Sequence, residues 1–292
     1  MATQLERRLR EFVDRKSETA TFCQILDGTD PRRVMVVVGP GGIGKSSLLA
    51  KMLHECAVRN AQRAEIIYTG DNVPDYLAVM RKCRDDLGVE PFGDLTRLIN
   101  YYTVPQYEVN LNITGTAPQI NIGTNMDASG AQIGQMAGIV VDMMNAQPRT
   151  DLSVTEGERR GKLTKAFITA LATLKSGLLV IFFDAAEKMT KPTQEWLLNE
   201  LITNVADADL AHVRFVICTR ETPPINRFIE DIFCVAELKP LAVEDVIEYL
   251  ERRGHPDVEK RPIVAETLLQ VSEGNLLTLG NMVDRMKARG WK

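Results

Sequence analysis

A chain of 292 residues, 45% hydrophobic and 25% charged, has the composition of an ordinary soluble globular protein and can bury one large α/β core plus a smaller domain. Its formal charge of −4 argues against a generally basic nucleic-acid-binding surface, and no run reaches the ~18 to 20 consecutive apolar residues that a membrane span needs. The five cysteines are scattered and form no C-x-x-C pair, so free thiols in a reducing, cytoplasmic setting are expected rather than disulfides or a metal site.

In chain order, Leu5, Leu9, Phe12 and Val13 mark the apolar side of a first helix, and a second is expected over 17–26, ended by Gly28, Asp30 and Pro31. Residues 34 to 38 form an unbroken β-branched apolar run, the pattern of a parallel strand covered on both faces. A helix with an apolar face follows from about Leu48. A strand over 64–68 and a helix over 73–87 come next. Between Tyr101 and Gly138 the pattern changes to strict alternation, as in Glu108-Val109-Asn110-Leu111-Asn112-Ile113, which predicts either a β-rich, hairpin-like insertion with one solvated face or, from its Gly, Asn and Thr content, a partly disordered stretch. Regular patterning resumes with a helix over 155–175, a solid strand over 178–183, a helix carrying Leu197, Leu198 and Leu201 inward, and strands over 213–218 and 233–236. Alternating strands and helices of this kind imply a mostly parallel, three-layer α/β sheet. From Leu238 onward only helices are expected, over 243–253, 263–271 and 278–289. The division that follows is an N-terminal helical segment at 1–32, a core at 33–237 with the insertion near 101–138, and a small all-helical second domain at 238–292.

The chemistry concentrates at the end of the first strand. Gly39, Pro40, Gly41, Gly42, Ile43, Gly44, Lys45 and Ser46, followed by Ser47, match the phosphate-binding loop G-x-x-x-x-G-K-[ST]. Glycines let backbone N–H groups curl round phosphates, and the following helix adds its N-terminal partial charge. Lys45 would reach the β and γ phosphates, and the Ser46 hydroxyl would sit on Mg²⁺. The bland alternative is a Gly-rich turn between strand and helix. A second acidic group belongs at the end of a neighbouring strand, where Asp184 closes the 178–183 run and would hold Mg²⁺. Glu187 would polarise the attacking water, or simply pair with Lys188 or Lys191. Arg220, after the 213–218 strand, would read the γ-phosphate, or pair with Glu221 on the surface.

Taken in order, Gly-Pro-Gly-Gly-Ile-Gly-Lys-Ser, Phe-Phe-Asp-Ala-Ala-Glu and Cys-Thr-Arg resemble the Walker A, Walker B and sensor segments of the STAND class of signal-transduction ATPases, relatives of the AAA+ ATPases. The resemblance covers most of the chain and implies a P-loop NTPase fold of the ASCE/AAA+ kind with a helical lid. It also implies ATP as ligand and a homo-oligomer or larger signalling assembly. Phe12-Val13-Asp14-Arg15 is similar to the family's Phe-Val-Gly-Arg segment, which implies Phe12, Val13 and Arg15 beside the adenine and ribose; Asp14 replaces the family's Gly. Glu237-Leu238-Lys239-Pro240-Leu241 resembles the approach to the lid, with Pro240 near the nucleotide. Ser272-Glu273-Gly274-Asn275-Leu276-Leu277 resembles the segment that closes over the base, with Leu276 where the family has Pro. Lys188 stands where many members carry a second acid, which implies slow hydrolysis. Family members usually continue into a winged-helix domain and a repeat-built sensor, so the chain is expected to be an isolated module or a piece of a longer receptor.

Three other readings remain. A phosphotransferase would need an arginine-bearing lid, for which Arg252, Arg253 and Arg261 are candidates. An interaction module would bind nucleotide without turnover. Nucleic-acid loading is opposed by the acidic balance. His54, His212 and His255 are dispersed and read as surface or helix-end residues, and Trp196 and Trp291 as packing groups.

Overall fold

The computed structural model describes residues 9, 12–68, 75–103, 106–107, 148–149, 154–175, 177–208 and 210–291. Helix α1 (Lys16–Asp27) ends at Gly28, whose φ of 72° gives the left-handed turn that stops a helix. It leads into β1 (Val34–Val38), α2 (Lys45–Val58), β2 (Gln62–Ile67) and α3 (Tyr76–Leu87). The cap of α3 is Asp75, whose side chain accepts from the Ala78 N–H. Next come α4 (Gly93–Thr103), the two-residue strands β3 (Gln106–Tyr107) and β4 (Pro148–Arg149), and α5 (Glu156–Thr173). After β5 (Leu179–Asp184), helix α6 runs as Lys191–Glu195, widens to π-helical geometry over Trp196–Leu201 and returns to α over Ile202–Asp207. Strands β6 (Val213–Thr219) and β7 (Phe233–Glu237) precede α7 (Val243–Arg252), α8 (Arg261–Ser272) and α9 (Leu276–Ala288).

Two compact units are present, Met1–Gly93 with Thr164–Lys292, and Asp94–Leu163. In the first, five strands form one sheet in the order β2-β5-β6-β1-β7, and every neighbouring pair is parallel. All of β1 and β6 is buried, which is why their sequences read as solid apolar runs. Met35, Val37, Val180, Phe182 and Val216 turn to one face, where Phe22 of α1 and Leu48 and Met52 of α2 complete a core. The alternate residues Val36, Ile181, Phe215 and Ile217 point to the other face and are equally buried. A separate core joins the last three helices through Val246, Tyr249, Leu250, Ala265, Leu268, Leu279 and Val283. In the second unit β3 pairs antiparallel with β4, and Arg159 lies 5.8 Å from the Tyr102 ring centroid.

Some expectations change. Helix α4 was not anticipated; it begins at Gly93, two residues after Pro91, yet its Leu95 and Ile99 are buried four residues apart. The residues expected to alternate as a hairpin, 108–122, and the expected first helix lie outside the described residues apart from Leu9, Phe12 and Val13. His255 lies at a helix end, just past α7, its N–H donating to Leu250 O at 2.9 Å, but not at the surface: it is 4% exposed, with its ring 4.9 Å edge-on to Trp291.

Strand β2 forms one edge of the sheet. There the Glu65 N–H donates to Asp86 Oδ2 of α3 at 2.9 Å, and Lys82 pairs with the same carboxylate. A cavity of about 630 Å³ lies along this edge, and none of the expected site residues lines it. Among the described residues, no helix is long and apolar enough to cross a membrane.

All five cysteines are free, and burial raises the thiol pKa of each, that of Cys56 to about 12. At pH 7 the reactive thiolate is therefore scarce at every site, and only Cys23 is more than slightly exposed. Titration of the native protein with a thiol-reactive dye is expected to label Cys23 slowly and the other four only on unfolding, as mass spectrometry would read.

Candidate functional site

The parallel order puts the carboxyl ends of β1, β5 and β6 at one end of the sheet, although β6 lies between the other two. Leaving β1, the chain is tied to β6 by the Gly39 N–H, which donates to Thr219 O at 3.2 Å. Gly42 (φ 80°) and Gly44 (φ 108°) then take left-handed conformations that L-residues rarely adopt, and Gly44 is the cap from which α2 starts. Ile43 packs inward at 4% exposure. Lys45 folds back over the loop, its Nζ donating to Gly39 O at 2.5 Å and Pro40 O at 3.0 Å. Ser47 donates its N–H to Gly44 O in the first turn.

Ser46 Oγ donates to Asp184 Oδ2 at 3.2 Å, joining the loop to the end of β5 across the width of β6. After Asp184 the chain turns through Ala185, left-handed at φ 57°, into a 3₁₀ turn that presents Glu187. Glu187 is paired with Arg220, whose Nε donates to Oε1 at 3.0 Å, rather than with Lys188, which reaches Tyr68 O at 3.3 Å. The other carboxylate oxygen, Glu187 Oε2, is buried without a hydrogen-bond partner. The Arg220 side chain is 60% exposed, and its Nη2 lies 3.7 Å from the point a Cβ on Gly41 would occupy. Lys45, Ser46, Asp184, Glu187 and Arg220 are thus brought together from three strand ends. Beside Glu187 lies a cavity of about 230 Å³ that Met189, Leu197, Leu198 and Pro223 also line.

The N-terminal segment runs between the two cores. Phe12 packs on the sheet core, and Val13 is buried among the C-terminal helices. Asp14 and Arg15 both have φ of 61°, so Asp14, where the similar segments carry Gly, occupies a left-handed position that Asp tolerates better than most residues. Arg15, 5% exposed, donates from Nη2 to Ile43 O at 3.1 Å and to Lys239 O at 2.7 Å. Pro240 lies against Gly274, close enough that a Cβ there would meet Pro240 Cβ at 2.6 Å.

Sequence reasoning counted Asn275, the cap of α9, in the segment that resembles the one closing over the base but gave its side chain no contact. Its Nδ2 donates to Gly41 O at 3.0 Å, while the Leu277 N–H donates to Gly42 O at 3.2 Å. The signal available was an Asn after Gly at a helix start, which reveals a cap but not what the cap touches.

The hydroxyl of Ser46 and the carboxylate of Asp184 are hard oxygen donors, the type Mg²⁺ prefers when one or two protein ligands share it with phosphate and water. Among the described residues no cluster of three or more His, Cys, Asp or Glu forms a self-contained metal cage.

No protein-family model and no curated protein matches the chain. Among solved structures it is similar to Cdc6p from Pyrobaculum aerophilum, at 11% identity and a TM-score of 0.52, over 96% of this chain and 64% of that one. It also aligns with a Signal Transduction ATPase with Numerous Domains (STAND) protein with a tetratricopeptide repeat sensor from Pyrococcus horikoshii, at 17% identity and a TM-score of 0.45, over 92% of this chain and 29% of that one. RuvB from Thermotoga maritima aligns at 12% identity and a TM-score of 0.44, over 96% of this chain and 64% of that one. The chain therefore spans less than two thirds of the length of each. At these identities the likeness is one of fold, and with the strand order and the loop after β1 it gives the chain a three-layer P-loop NTPase fold.

Proposed function

We propose that the chain binds ATP with Mg²⁺ at the loop after β1 and hydrolyses it slowly, as the nucleotide-switch module of a STAND-type signalling or defence protein. The observation that carries this reading is the convergence of Lys45, Ser46, Asp184, Glu187 and Arg220 around one loop. Bound Mg²⁺ would be held by Ser46 and Asp184 and would neutralise phosphate charge. Lys45 exchanges the loop carbonyls for the β and γ phosphates, and Arg220 exchanges Glu187 for the γ-phosphate. Glu187 then accepts a proton from the attacking water, at Oε2 or at the oxygen Arg220 has left. The bond between the γ-phosphorus and its bridging oxygen breaks, leaving ADP and phosphate. In this reading residues 33–237 form the core and 238–292 the lid, and nucleotide state biases the contact between them.

Support for the switch over a phosphotransferase comes from the lid arginines. Arg252 donates to Phe12 O, Arg253 is buried against Asp284, and Arg261 donates to His255 O, so all three are engaged away from the phosphate loop. The Arg220–Glu187 pair favours a second reading, an interaction module that binds nucleotide while its base is withheld. Mg²⁺-dependent ATP turnover per chain, measured across a wide range of protein concentration, separates them. Specific activity rising with concentration is the expected outcome for an oligomer whose site is completed between subunits. Binding with no turnover at any concentration leaves the interaction module, and no binding refutes the proposal.

A further inference from the structure

Three consecutive carbonyls of the phosphate loop are each held from outside it. Gly41 O accepts from Asn275 Nδ2 at 3.0 Å, Gly42 O from the Leu277 N–H at 3.2 Å, and Ile43 O from Arg15 Nη2 at 3.1 Å. The donors come from the two ends of the chain: one from the segment before α1, two from the start of α9. A trans peptide is planar, with its N–H pointing opposite to its C=O. Fixing these three carbonyls therefore turns the N–H groups of Gly42, Ile43 and Gly44 to the other side of the loop. Of these, the Ile43 N–H makes a long turn bond of 3.4 Å to Pro40 O. Lys45 Nζ rests on the two carbonyls that precede the three, Gly39 O and Pro40 O. The fit is close. A Cβ on Gly42 would come within 2.4 Å of the Asn275 amide, and Leu276 Cδ2 lies 3.0 Å from the position of a Cβ on Gly44. Arg15 strengthens the arrangement by holding Lys239 O, at the approach to the C-terminal helices, with the same nitrogen.

Resting on the nucleotide-binding reading above, we infer that Asn275 and Arg15 are positioning residues for the phosphates. They touch no phosphate, but they aim backbone N–H groups at it by pinning the opposite ends of the same peptides. Phosphate grip and the seating of α9 are then one equilibrium: whatever lifts Asn275 and Leu277 off the loop disorders the donors, and a bound phosphate chain strengthens the contact in return. Arg15 thereby acts on the phosphates through the loop rather than on the base or ribose.

The test compares ATP, ADP and adenosine binding by calorimetry in the full chain and in two variants. Asn275→Ser keeps a capping oxygen for the Thr278 N–H but cannot reach Gly41 O. Arg15→Met keeps the length of the apolar stem and removes the donation to Ile43 O and to Lys239 O. Each is expected to weaken ATP and ADP by roughly fivefold to tenfold, the scale of one hydrogen bond, with adenosine affinity changed by less than about twofold. Equal losses for all three ligands would mean a general structural role, or for Arg15 a contact with the nucleoside, and would overturn the inference. So would unchanged phosphate affinity. In the unaltered protein, ATP is expected to slow hydrogen exchange of the Leu277 amide by about tenfold. Exchange unchanged by bound ATP would overturn the inference even if a variant failed to fold. If the unaltered chain bound adenosine but gained nothing from its phosphates, or bound none of the three, the nucleotide-binding reading itself would fall first.

Discussion

Glu187→Gln is expected to lower ATP turnover by roughly 10²- to 10⁴-fold while leaving ATP affinity equal or tighter. The amide is nearly isosteric but cannot take a proton, so any catalytic contribution from this carboxylate is removed at its source. The same change weakens the grip on Arg220, whose Nε now donates to Oε1 at 3.0 Å. A guanidinium no longer balanced by a carboxylate is more available to a γ-phosphate, so trapping of the triphosphate is the expected companion of lost turnover. Folding should hardly change: Arg220 is 60% exposed, and exposed pairs contribute about 0 to 1 kcal/mol. Single-turnover hydrolysis, equilibrium ATP binding and a melting curve on the same preparation check all three. A drop in turnover matched by an equal drop in affinity would assign Glu187 to binding instead.

The second large effect concerns stability. Trp196→Ala is expected to destabilise the protein by about 3 to 5 kcal/mol. The indole is fully buried, its ring centroid lies 6.0 Å from that of Tyr76, and its Nε1 donates to Thr164 Oγ1 at 2.9 Å. Truncation leaves a cavity and removes the hydrogen bond that Trp196 Nε1 gives to Thr164 Oγ1. Trp196→Phe keeps most of the packing and loses the hydrogen bond, so about 1 to 3 kcal/mol is expected for it. Urea unfolding of the two variants apportions the effect between volume and hydrogen bond. Trp196 opens the π-helical stretch, and Leu197 and Leu198 of that stretch line the cavity beside Glu187. A collapse there is expected to disturb turnover as well, more in the Ala variant than in the Phe variant.

The parts of this architecture written in local pattern were legible in the sequence. Buried parallel strands need apolar side chains on both faces, so 34–38, 178–183 and 213–218 announced themselves, and the glycines of the loop followed from the backbone it must adopt. Asp184 and Arg220 stood out as candidates because the first ends such a strand and the second follows one. What the sequence could not carry was three-dimensional choice between partners. Glu187 had Lys188 and Lys191 nearby in sequence, and Arg220 had Glu221, yet the two pair with each other across 33 residues. Strand order is equally silent in sequence, since each strand looks apolar whatever its neighbour. Asn275 illustrates the limit: its capping role could be read, but its contact with Gly41, 234 residues away, depends on how α9 meets the loop. The π-helical widening of α6 left no trace that period-based reading could catch, because Trp196, Leu197, Leu198 and Leu201 satisfy an ordinary apolar helix face.

The carboxylate of Asp86 on the β2 edge has a consequence for crowded solution. An edge strand presents backbone groups that another chain's strand can adopt as a template, which is how folded proteins stick sheet to sheet. Here the Glu65 amide is already taken by Asp86, and Lys82 sits beside it. An incoming strand would have to break that charge-assisted bond and strip water from an acid and an amine before gaining any pairing of its own. The molecule thus carries, in one helix-to-strand contact, a guard against polymerising through the β2 margin of its sheet.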